Sequence, residues 1–383
     1  MKIRLGDICS FQSGGTPSRS NTAYFSGDIP WITTTALNGS IIDENAAVEW
    51  ITPKAIAESA AKIVPKGSIM VGTRVGVGKV AINSVDMSTS QDIISMLNID
   101  EAAWDKSYIC NFILSRKDYL NSQARGATIK GIKIDVLAEL PLPYVCITKQ
   151  RQISEILATC KEIIRIRTQQ LAELDNLVKA RFVELFGDTI LNPFGWKKDL
   201  LGTVCDVRDG THDSPQYYES GYPLVTSRNV TGGKIDLADC SLICESDFKK
   251  INERSKVDIG DIIMPMIGTV GKPVIVDIEP NFAIKNVSLI KFKADSRVLN
   301  IYIRALLQSD YFDDAVLSKV RGGTQKFISL GDIRKLEVLV PPMELQEQFA
   351  VFVDQTDKSK LAVQQSLEKL EILKKSLMQE YFG

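Results

Sequence analysis

The sequence predicts an α+β protein in which one unit is written twice, each unit being a globular head followed by a long helix. Three observations predict this fold: matching segments at a fixed offset, short β-rich runs broken by Gly and Pro, and two long stretches with a seven-residue apolar period. We expect the two long helices to pair as an antiparallel coiled coil between two similar heads. The chain then carries a pseudo-twofold internal repeat.

The repeat is visible at both ends of the chain. Glu184-Leu185-Phe186-Gly187 returns 196 residues later as Glu380-Tyr381-Phe382-Gly383, and the same offset aligns Leu5-Gly6-Asp7 with Leu201-Gly202-Thr203. Gln150-Arg151-Gln152 likewise matches Gln346-Glu347-Gln348, so chance is a poor explanation. The predicted boundaries are 1–146 for the first head, 147–187 for the first helix, 188–342 for the second head and 343–383 for the second helix.

Each head shows short strand-like runs interrupted by helical stretches. Ile29-Pro30-Trp31-Ile32 and Asp261-Ile262-Ile263-Met264 are typical of strands, whereas residues 107–122 and 299–317 are typical of helices. A compact α+β domain of about 140 residues is an ordinary domain size.

The helical stretches have no Gly or Pro before their final Gly. A single amphipathic helix packed only on its own head is one interpretation. The length favours pairing of the two helices instead, because at ~1.5 Å per residue each is roughly 50 Å long, a rod able to hold two heads apart. The apolar residues that recur every seven positions are Leu157, Ile164, Leu171, Val178 and Leu185, and then Val363, Leu370 and Leu377.

Composition excludes several classes of function. Lys and Arg total 46 against 47 acids, a net charge of -1, which excludes a strongly basic nucleic-acid binder but not local basic surfaces. The single histidine, His212, excludes a zinc site built on histidines. Seven cysteines without a CxxC pair suggest neither a disulfide framework nor a zinc ribbon. No signal peptide and no apolar run of ~18 residues is visible, so we expect a cytoplasmic chain with no membrane partner.

Motifs for catalysis are incomplete. Gly76-Val77-Gly78-Lys79-Val80-Ala81 matches the dinucleotide fingerprint in form, but the residues after it predict a strand where that motif needs a helix. Asn192-Pro193-Phe194-Gly195 is similar to the target-base loop of adenine-N6 methyltransferases but lacks the second Pro, which indicates a linker turn. Asp213 and Ser214 beside His212 have no counterpart in the first head, so a hydrolase triad is not expected.

Three polar loops recur in both heads. Residues 14–19 correspond to 209–215, residues 33–37 to 226–230, and residues 125–130 to 321–326. Polar surface turns are one explanation, but repetition in two heads favours a surface that bonds phosphates and base edges. The candidate DNA-binding residues are Thr16, Ser18, Arg19, Thr34, Thr35, Arg74, Lys79, Arg125, Thr128 and Lys130 in the first head, and Thr211, His212, Ser227, Arg228, Asn229, Lys272, Arg321, Thr324, Gln325 and Lys326 in the second.

Within this set the residue types predict two roles. Arg228 and Asn229 are the best candidates for reading bases, because Arg pairs bidentately with guanine and Asn with adenine. Four lysines recur in both heads and are candidates for holding phosphates, which are alike at every site. The alternative is that Arg228 makes an internal ion pair and that the lysines are only solvated. The recurring lysines are Lys79, Lys130, Lys272 and Lys326.

The order and duplication of these segments resemble the specificity (S) subunit of a type I restriction–modification system, over the whole chain. In the first half the resemblance lies in Leu5-Gly6-Asp7-Ile8, Ser13-Gly14-Gly15-Thr16-Pro17-Ser18 and Ile29-Pro30-Trp31-Ile32. In the second half it lies in Asn192-Pro193-Phe194-Gly195-Trp196, Asp209-Gly210-Thr211-His212, and Val340-Pro341-Pro342.

The resemblance implies that each head is a target recognition domain reading one half of a bipartite site in double-stranded DNA. It also implies that the helices set the spacing and dock two modification (methyltransferase) subunits, which carry S-adenosylmethionine, and that two restriction subunits can join. The chain itself is then non-catalytic and holds no cofactor and no metal. Two alternatives from other classes are a non-catalytic scaffold whose duplicated heads bind protein partners, and an enzyme whose site is assembled with a partner.

Overall fold

The computed structural model describes residues 1–126, 130–266, 272–315 and 327–383. The chain divides into two compact units, one formed by Met1–Thr168 with Gln365–Gly383 and the other by Gln169–Gln364. Each unit therefore contains one head and a part of each long helix. The breaks after Thr168 and after Gln364 are 196 residues apart, so the division follows the repeat.

The first head is built from two larger β-sheets, a two-stranded sheet and short helices. Its strands are β1 (Lys2–Arg4), β2 (Ser10–Ser13), β3 (Phe25–Ile32), β4 (Ile41–Ile42), β5 (Glu49–Ile51), β6 (Ile63–Val64), β7 (Ile69–Gly72), β8 (Val80–Asn83), β9 (Met87–Thr89), β10 (Ile93–Leu97) and β11 (Pro141–Pro143). Its helices are α1 (Pro53–Glu58), α2 (Lys106–Ser115), α3 (Lys117–Gln123) and α4 (Ile134–Ala138), and the chain then enters α5 (Ile147–Phe186).

One sheet has the order β5-β3-β9-β6 and the other β2-β10-β7-β8-β4, while β1 pairs with β11. β3 and β9 are parallel, so their carboxyl ends meet at one edge. All of β7 and the first four residues of β10, including Ser95, are buried, as expected for strands inside a core. The helix predicted over 107–122 is interrupted at Arg116, whose backbone leaves the helical region at φ -96° and ψ 8°.

The second head repeats this plan. Its strands are β12 (Lys197–Leu200), β13 (Asp206–Asp209), β14 (Tyr222–Val225), β15 (Val230–Thr231), β16 (Lys234–Ile235), β17 (Ser241–Ile243), β18 (Ile262–Pro265), β19 (Val274–Ile275), β20 (Ala283–Ile284), β21 (Val287–Lys291) and β22 (Glu337–Val340). Its helices are α6 (Leu201–Val204), α7 (Glu245–Ser255), α8 (Asn300–Leu307), α9 (Asp310–Ala315) and α10 (Leu330–Arg334), followed by α11 (Met343–Phe382).

Strand order confirms the internal repeat. β13-β21-β18-β19 matches β2-β10-β7-β8, and β17-β14-β20 matches β5-β3-β9 with the parallel pair β14–β20 in the place of β3–β9. β12–β22 takes the place of β1–β11. The helix predicted over 299–317 is two helices, α8 and α9, as far as Ala315, and residues 316–326 lie outside the described part of the chain.

In the first unit the start of α5 packs against the end of α11. Ile153 and Leu157 share one buried apolar cluster with Phe382, Tyr108 and Phe112. The ring of Phe382 lies 5.1 Å from that of Tyr108 and 6.0 Å from that of Phe112. The last turn of one helix is therefore part of the core of the head beside the other helix.

The second unit shows the reciprocal arrangement. Phe182 and Phe186, at the end of α5, pack on Tyr302 and on Phe349 near the start of α11, with ring centroids 4.8 to 5.6 Å apart. In each unit the start of one long helix packs against the end of the other. The two helices therefore run antiparallel, which confirms the predicted pairing. The interpretation in which each long helix packs only on its own head is wrong. No helix in the described ranges is long and apolar enough to span a membrane.

Candidate nucleic-acid interface

The first polar surface forms where β3 and β9 end side by side. Ser90 donates its backbone N–H to Ile32 O (2.9 Å), and Gly15 donates to Thr89 O (2.9 Å). These bonds bring the loop after β2 against the ends of both strands. We call residues 14–19, 33–37, 73–79, 90–92, 125–126 and 130–132 the loop surface of the first head.

Glycine permits the close approach at Gly14. A Cβ added there would lie 2.2 Å from Ser90 O, a distance that a side-chain carbon cannot adopt. The loop is fixed further by Trp31, whose indole Nε1–H donates to Gly15 O at 3.1 Å. A buried side chain thus sets the position of the exposed residues that follow.

The remaining segments of this surface are joined through Thr73. Its backbone N–H donates to Asp92 O (2.8 Å), and its own carbonyl accepts from the N–H of Ile132 (2.8 Å). Arg74 is exposed and lies 3.8 Å from the Asp92 carboxylate. Arg125 and Lys130 lie in the segments next to Ile132 and are exposed. Neither makes an ion pair with a described residue. Several cations therefore lie along one edge of the head.

The second head builds the equivalent surface with the same backbone bonds. Thr211 N–H donates to Ile284 O (3.0 Å), and Lys285 N–H donates to Val225 O (2.9 Å). A Cβ added to Gly210 would lie 2.5 Å from Ile284 O, so this glycine has the role of Gly14. We call residues 209–215, 226–230, 266, 272, 285–286 and 327–328 the loop surface of the second head.

A 3-10 turn projects from each surface. Thr34–Ala36 follows β3, and Ser227–Asn229 follows β14. Thr35 and Arg228 therefore occupy matching positions, and both are exposed. The guanidinium of Arg228 makes no ion pair with the residues that the structure describes, so the alternative of an internal ion pair finds no support among them.

Two of the predicted residues in these turns are buried, which makes them weaker DNA-contact candidates than the sequence suggested. Thr34 and Asn229 are each only 5% exposed. Asn229 Oδ1 accepts from the backbone N–H of Thr226 (3.0 Å) and from its hydroxyl (2.9 Å), closing the turn. An amide held in this way does not present both of its groups to an adenine. Asn229 therefore closes the turn that carries Arg228, and it is a weaker candidate for reading a base than Arg228.

The exposed residues of the first loop are arranged differently. Arg19 makes a bidentate ion pair with Glu49 (2.8 and 2.9 Å) and lies over the Phe25 ring, so its guanidinium is already engaged. Thr16 and Ser18 are exposed at its start. Arg19 is consequently a weaker DNA-contact candidate than the sequence suggested.

The lysines that recur in the two heads are less uniformly placed. Lys79 is half-buried, with its aliphatic stem close to Gly76, whereas Lys272 is exposed. Gly76 and Gly78 form a turn between β7 and β8, as predicted, and not a nucleotide loop. The predicted residues that lie outside the described part of the chain are Thr128, Arg321, Thr324, Gln325 and Lys326.

His212 sits in a hydrogen-bonded cluster that the sequence did not predict. Its Nε2 lies 2.9 Å from Asp209 Oδ2 and its Nδ1 lies 2.9 Å from Asn286 Oδ1. Arg254 also contacts the Asp209 carboxylate. Ser214 bonds to Lys285 Nζ (2.8 Å) and not to the histidine, so no hydrolase triad forms here. No motif in the sequence pointed to this cluster, because Asn286 lies 74 residues from His212 along the chain.

The described part of the chain shows neither a metal-binding cluster nor a disulfide. No group of three or more His, Cys, Asp or Glu side chains in those ranges is placed to hold a metal ion. The cysteines are all free thiols.

Comparison with known proteins decides the family. The family described as "Type I restriction modification DNA specificity domain" matches residues 1–176 and again residues 193–372. The chain belongs to this family. The two matches fall on the two halves of the repeat, and membership agrees with the expectation that the chain is a specificity subunit, the non-catalytic component of such a complex.

Curated relatives carry the same description. The chain is similar to the type I restriction enzyme MjaIX specificity subunit of Methanocaldococcus jannaschii, with 26% identity over 90% of this chain and 84% of that one. It is 22% identical to the EcoKI specificity subunit of Escherichia coli K12, over 86% of this chain and 77% of the relative.

Solved structures share the fold. The S subunit of a type I system from M. genitalium aligns over 100% of this chain and 96% of its own, with a TM-score of 0.59 and 15% identity. A chain from the type I R-M system, solved to explain complex assembly and conformational transition, aligns over 100% and 97% with a TM-score of 0.62 and 18% identity.

Proposed function

We propose that this chain is the DNA-recognition subunit of a type I restriction–modification complex and that each head reads one half of a bipartite site. One observation carries the proposal. The two heads use the same backbone bonds to build their loop surfaces but present different exposed side chains at matching tips, Thr35 against Arg228. Reading two different half-sites requires the same loop backbone in both heads with different exposed side chains on it.

The modest charge of the chain fits a shared task. With a net charge of -1, the chain alone offers little of the electrostatic attraction that supplies non-specific DNA affinity. Exposed cations such as Arg74, Arg125, Arg228 and Lys272 give local contacts at the loop surfaces. Partner subunits then supply much of the phosphate clamp.

We propose further that the long helices act as a spacer between the heads and as the docking platform for two modification subunits. In the first unit Ile156, Ile163 and Ile166 lie at helical spacing on α5 and are 37 to 47% exposed. In the second unit Val351 and Leu361 of α11 are 59% and 56% exposed. Apolar side chains left exposed on a helix are suited to a protein partner.

The modification subunits would carry S-adenosylmethionine and the adenine-N6 chemistry, and two restriction subunits would join the same complex. This chain would contribute base recognition and geometry, and hold no cofactor of its own. Such a complex acts on cellular DNA, which places it in the cytoplasm.

A gel-shift experiment tests the proposal. The chain is co-expressed with its modification subunits, and the bipartite motif is found by mapping N6-methyladenine in the DNA of the expressing cells. The assembled complex should shift a duplex with that motif and fail to shift duplexes altered in either half. Equal binding to all duplexes would instead favour a scaffold whose heads bind proteins.

A further inference from the structure

The loop of the second head is fastened by a charged cluster centred on the one histidine of the chain, His212. Its two ring nitrogens face two acceptor oxygens, Asp209 Oδ2 and Asn286 Oδ1, each at 2.9 Å. A neutral imidazole has one N–H, whereas an imidazolium has two. With the amide oxygen of Asn286 facing Nδ1, both ring nitrogens donate, which is the hydrogen-bonding pattern of the protonated ring.

Asp209 is the centre of this cluster. Its side chain is 10% exposed, and it accepts from both His212 and Arg254. Its backbone carbonyl accepts from the Ser255 hydroxyl at 2.6 Å. A carboxylate removed from water needs charged or hydrogen-bonding partners, so Asp209 favours the cationic form of His212.

The other charged group near the loop, Lys285, bonds to a different part of it. Lys285 donates to Ser214 Oγ at 2.8 Å and so braces the far end of the loop. If His212 loses its proton, Arg254 is the remaining cation at the Asp209 carboxylate among the described residues. A neutral His212 keeps a single N–H, so it can donate to only one of Asp209 and Asn286, and the ion pair with Asp209 is lost.

The first head lacks this chemistry at the matching position. Thr16 stands in the place of His212, and its hydroxyl lies 3.5 Å from the backbone N–H of Gln91. Neither group titrates near neutral pH. The two loops are thus attached by different means, one dependent on protonation and one not.

We propose that His212 is a positioning residue for DNA reading, holding loop 211–214 as an imidazolium, so that recognition of one half-site weakens as pH rises while the other is unaffected. This rests on the proposed function of the heads. Hydrogen bonds with Asn286 and Asp209 hold the pKa of His212 above its ordinary value, and Arg254 opposes them.

The direction with pH follows from linkage. A histidine whose pKa is raised by folding contributes its full stabilisation below the unfolded-state pKa of about 6.5. That stabilisation is lost as pH rises through the higher pKa of the folded state. The attachment of the loop therefore weakens as pH rises through the folded-state pKa of His212.

The first test needs no DNA. Histidine-selective ¹³C labelling of the full chain gives a single ring signal, whose titration reports His212 alone. Its pKa should exceed 6.5, fall in Asp209→Asn and rise in Arg254→Gln, a substitution at a side chain that is 68% exposed. A wild-type pKa at or below about 6.5, or a shift of the wrong sign in Arg254→Gln, overturns the proposal.

The second test uses the chain assembled with its modification subunits. Binding is measured from pH 6 to 8.5 on duplexes altered in one half-site at a time. Discrimination at one half-site should fall by up to about tenfold per pH unit above the His212 pKa, because one proton is coupled. His212→Gln should remove this dependence, while Thr16→Val, the matched change in the first head, should retain it.

Each outcome decides a different question. A pH dependence that persists in His212→Gln, or one equal at both half-sites, contradicts the role of His212. Failure to bind any duplex at any pH contradicts the DNA-reading function instead, and the histidine titration still decides the state of the cluster.

Discussion

Gln150 and Gln346 make the same three hydrogen bonds at the starts of the two long helices. Gln150 Oε1 accepts from Asp105 N–H (2.9 Å), and its Nε2 donates to Ala103 O (3.0 Å) and Val145 O (2.8 Å). Gln346 Oε1 accepts from Leu299 N–H (2.8 Å), and its Nε2 donates to Arg297 O (3.0 Å) and Pro341 O (2.9 Å). Both glutamines are 0% exposed. Each joins its helix to the head that precedes it.

Replacing either glutamine by leucine should destabilise one unit. The substitution leaves one buried N–H and two carbonyls without these partners, and each orphaned group costs about 1–3 kcal/mol. We expect a loss of at least about 3 kcal/mol in the free energy of unfolding. Hydrogen exchange should show the loss in α2 for Gln150→Leu and in α8 for Gln346→Leu.

An exposed glutamine on the same helix provides the control. Gln152→Leu changes the same side chain at a site in contact with solvent and should leave exchange in α2 nearly unchanged. Equal effects of Gln150→Leu and Gln152→Leu would contradict the role of the buried amide.

Replacing Arg228 or Lys272 by alanine should change DNA binding in two different ways. Arg228→Ala should weaken the free energy of DNA binding by about 1–3 kcal/mol and should relax the preference at one base pair of one half-site. Lys272→Ala should weaken binding to every sequence alike and reduce the salt slope by about one. Both are measured on the assembled complex across a salt series.

Lys198→Ala is the matched control for these changes. Lys198 is exposed on the β12–β22 pair, outside the loop surface, where it pairs with Glu337 at 3.6 Å. It should alter neither base preference nor salt slope. Base preferences that survive intact in Arg228→Ala would contradict its assignment as a reader.

The repeat, the long helices and the order of the polar loops could be predicted because they depend on local pattern. Offsets between matching segments and a seven-residue apolar period need no knowledge of tertiary contacts. The role of Asn229 could not be predicted, because an amide that closes its own turn and one that reads adenine look alike in sequence. The partners of His212 were also hidden, since Asn286 is 74 residues away in sequence and meets it only through a parallel strand pair.

The chain alone should bind no S-adenosylmethionine and show no methyltransferase, nuclease or ATPase activity. The glycines after β7 form a turn followed by a strand, which offers no helix N-terminus to a phosphate. Calorimetry with S-adenosylmethionine should give no saturable heat for the chain, but should give it for the complex with modification subunits. Saturable binding to the chain alone would contradict this prediction.

The register of the helix pair can be tested in the second unit. Asp175 of α5 and Lys360 of α11 form an ion pair at 2.6 Å. Cysteines at these two positions, in a background without the native cysteines, should be joined rapidly by a short bifunctional maleimide. Cysteines at Asp175 and Val351, more than two turns from Lys360 towards the start of α11, should react much more slowly. Similar rates for both pairs would contradict the antiparallel register.

The last prediction concerns the spacing of the DNA site. Inserting four residues after Thr168, where the compact units divide within α5, lengthens that helix by roughly 6 Å at 1.5 Å per residue. If the helices set the distance between half-sites, the recognised spacer should grow by one to two base pairs, each about 3.4 Å along the duplex. Mapping N6-methyladenine in cells that express the altered complex measures the new spacer directly.

A loop insertion separates this effect from general disturbance. Gly232 and Gly233 lie in an open turn between β15 and β16, where an added Cβ would meet nothing within 4 Å. Four residues inserted there should leave the methylated motif and its spacer unchanged. If the α5 insertion yields an active complex that still methylates the original spacer, the helices do not act as the ruler, since the added length would then have no effect on where the second half-site is read.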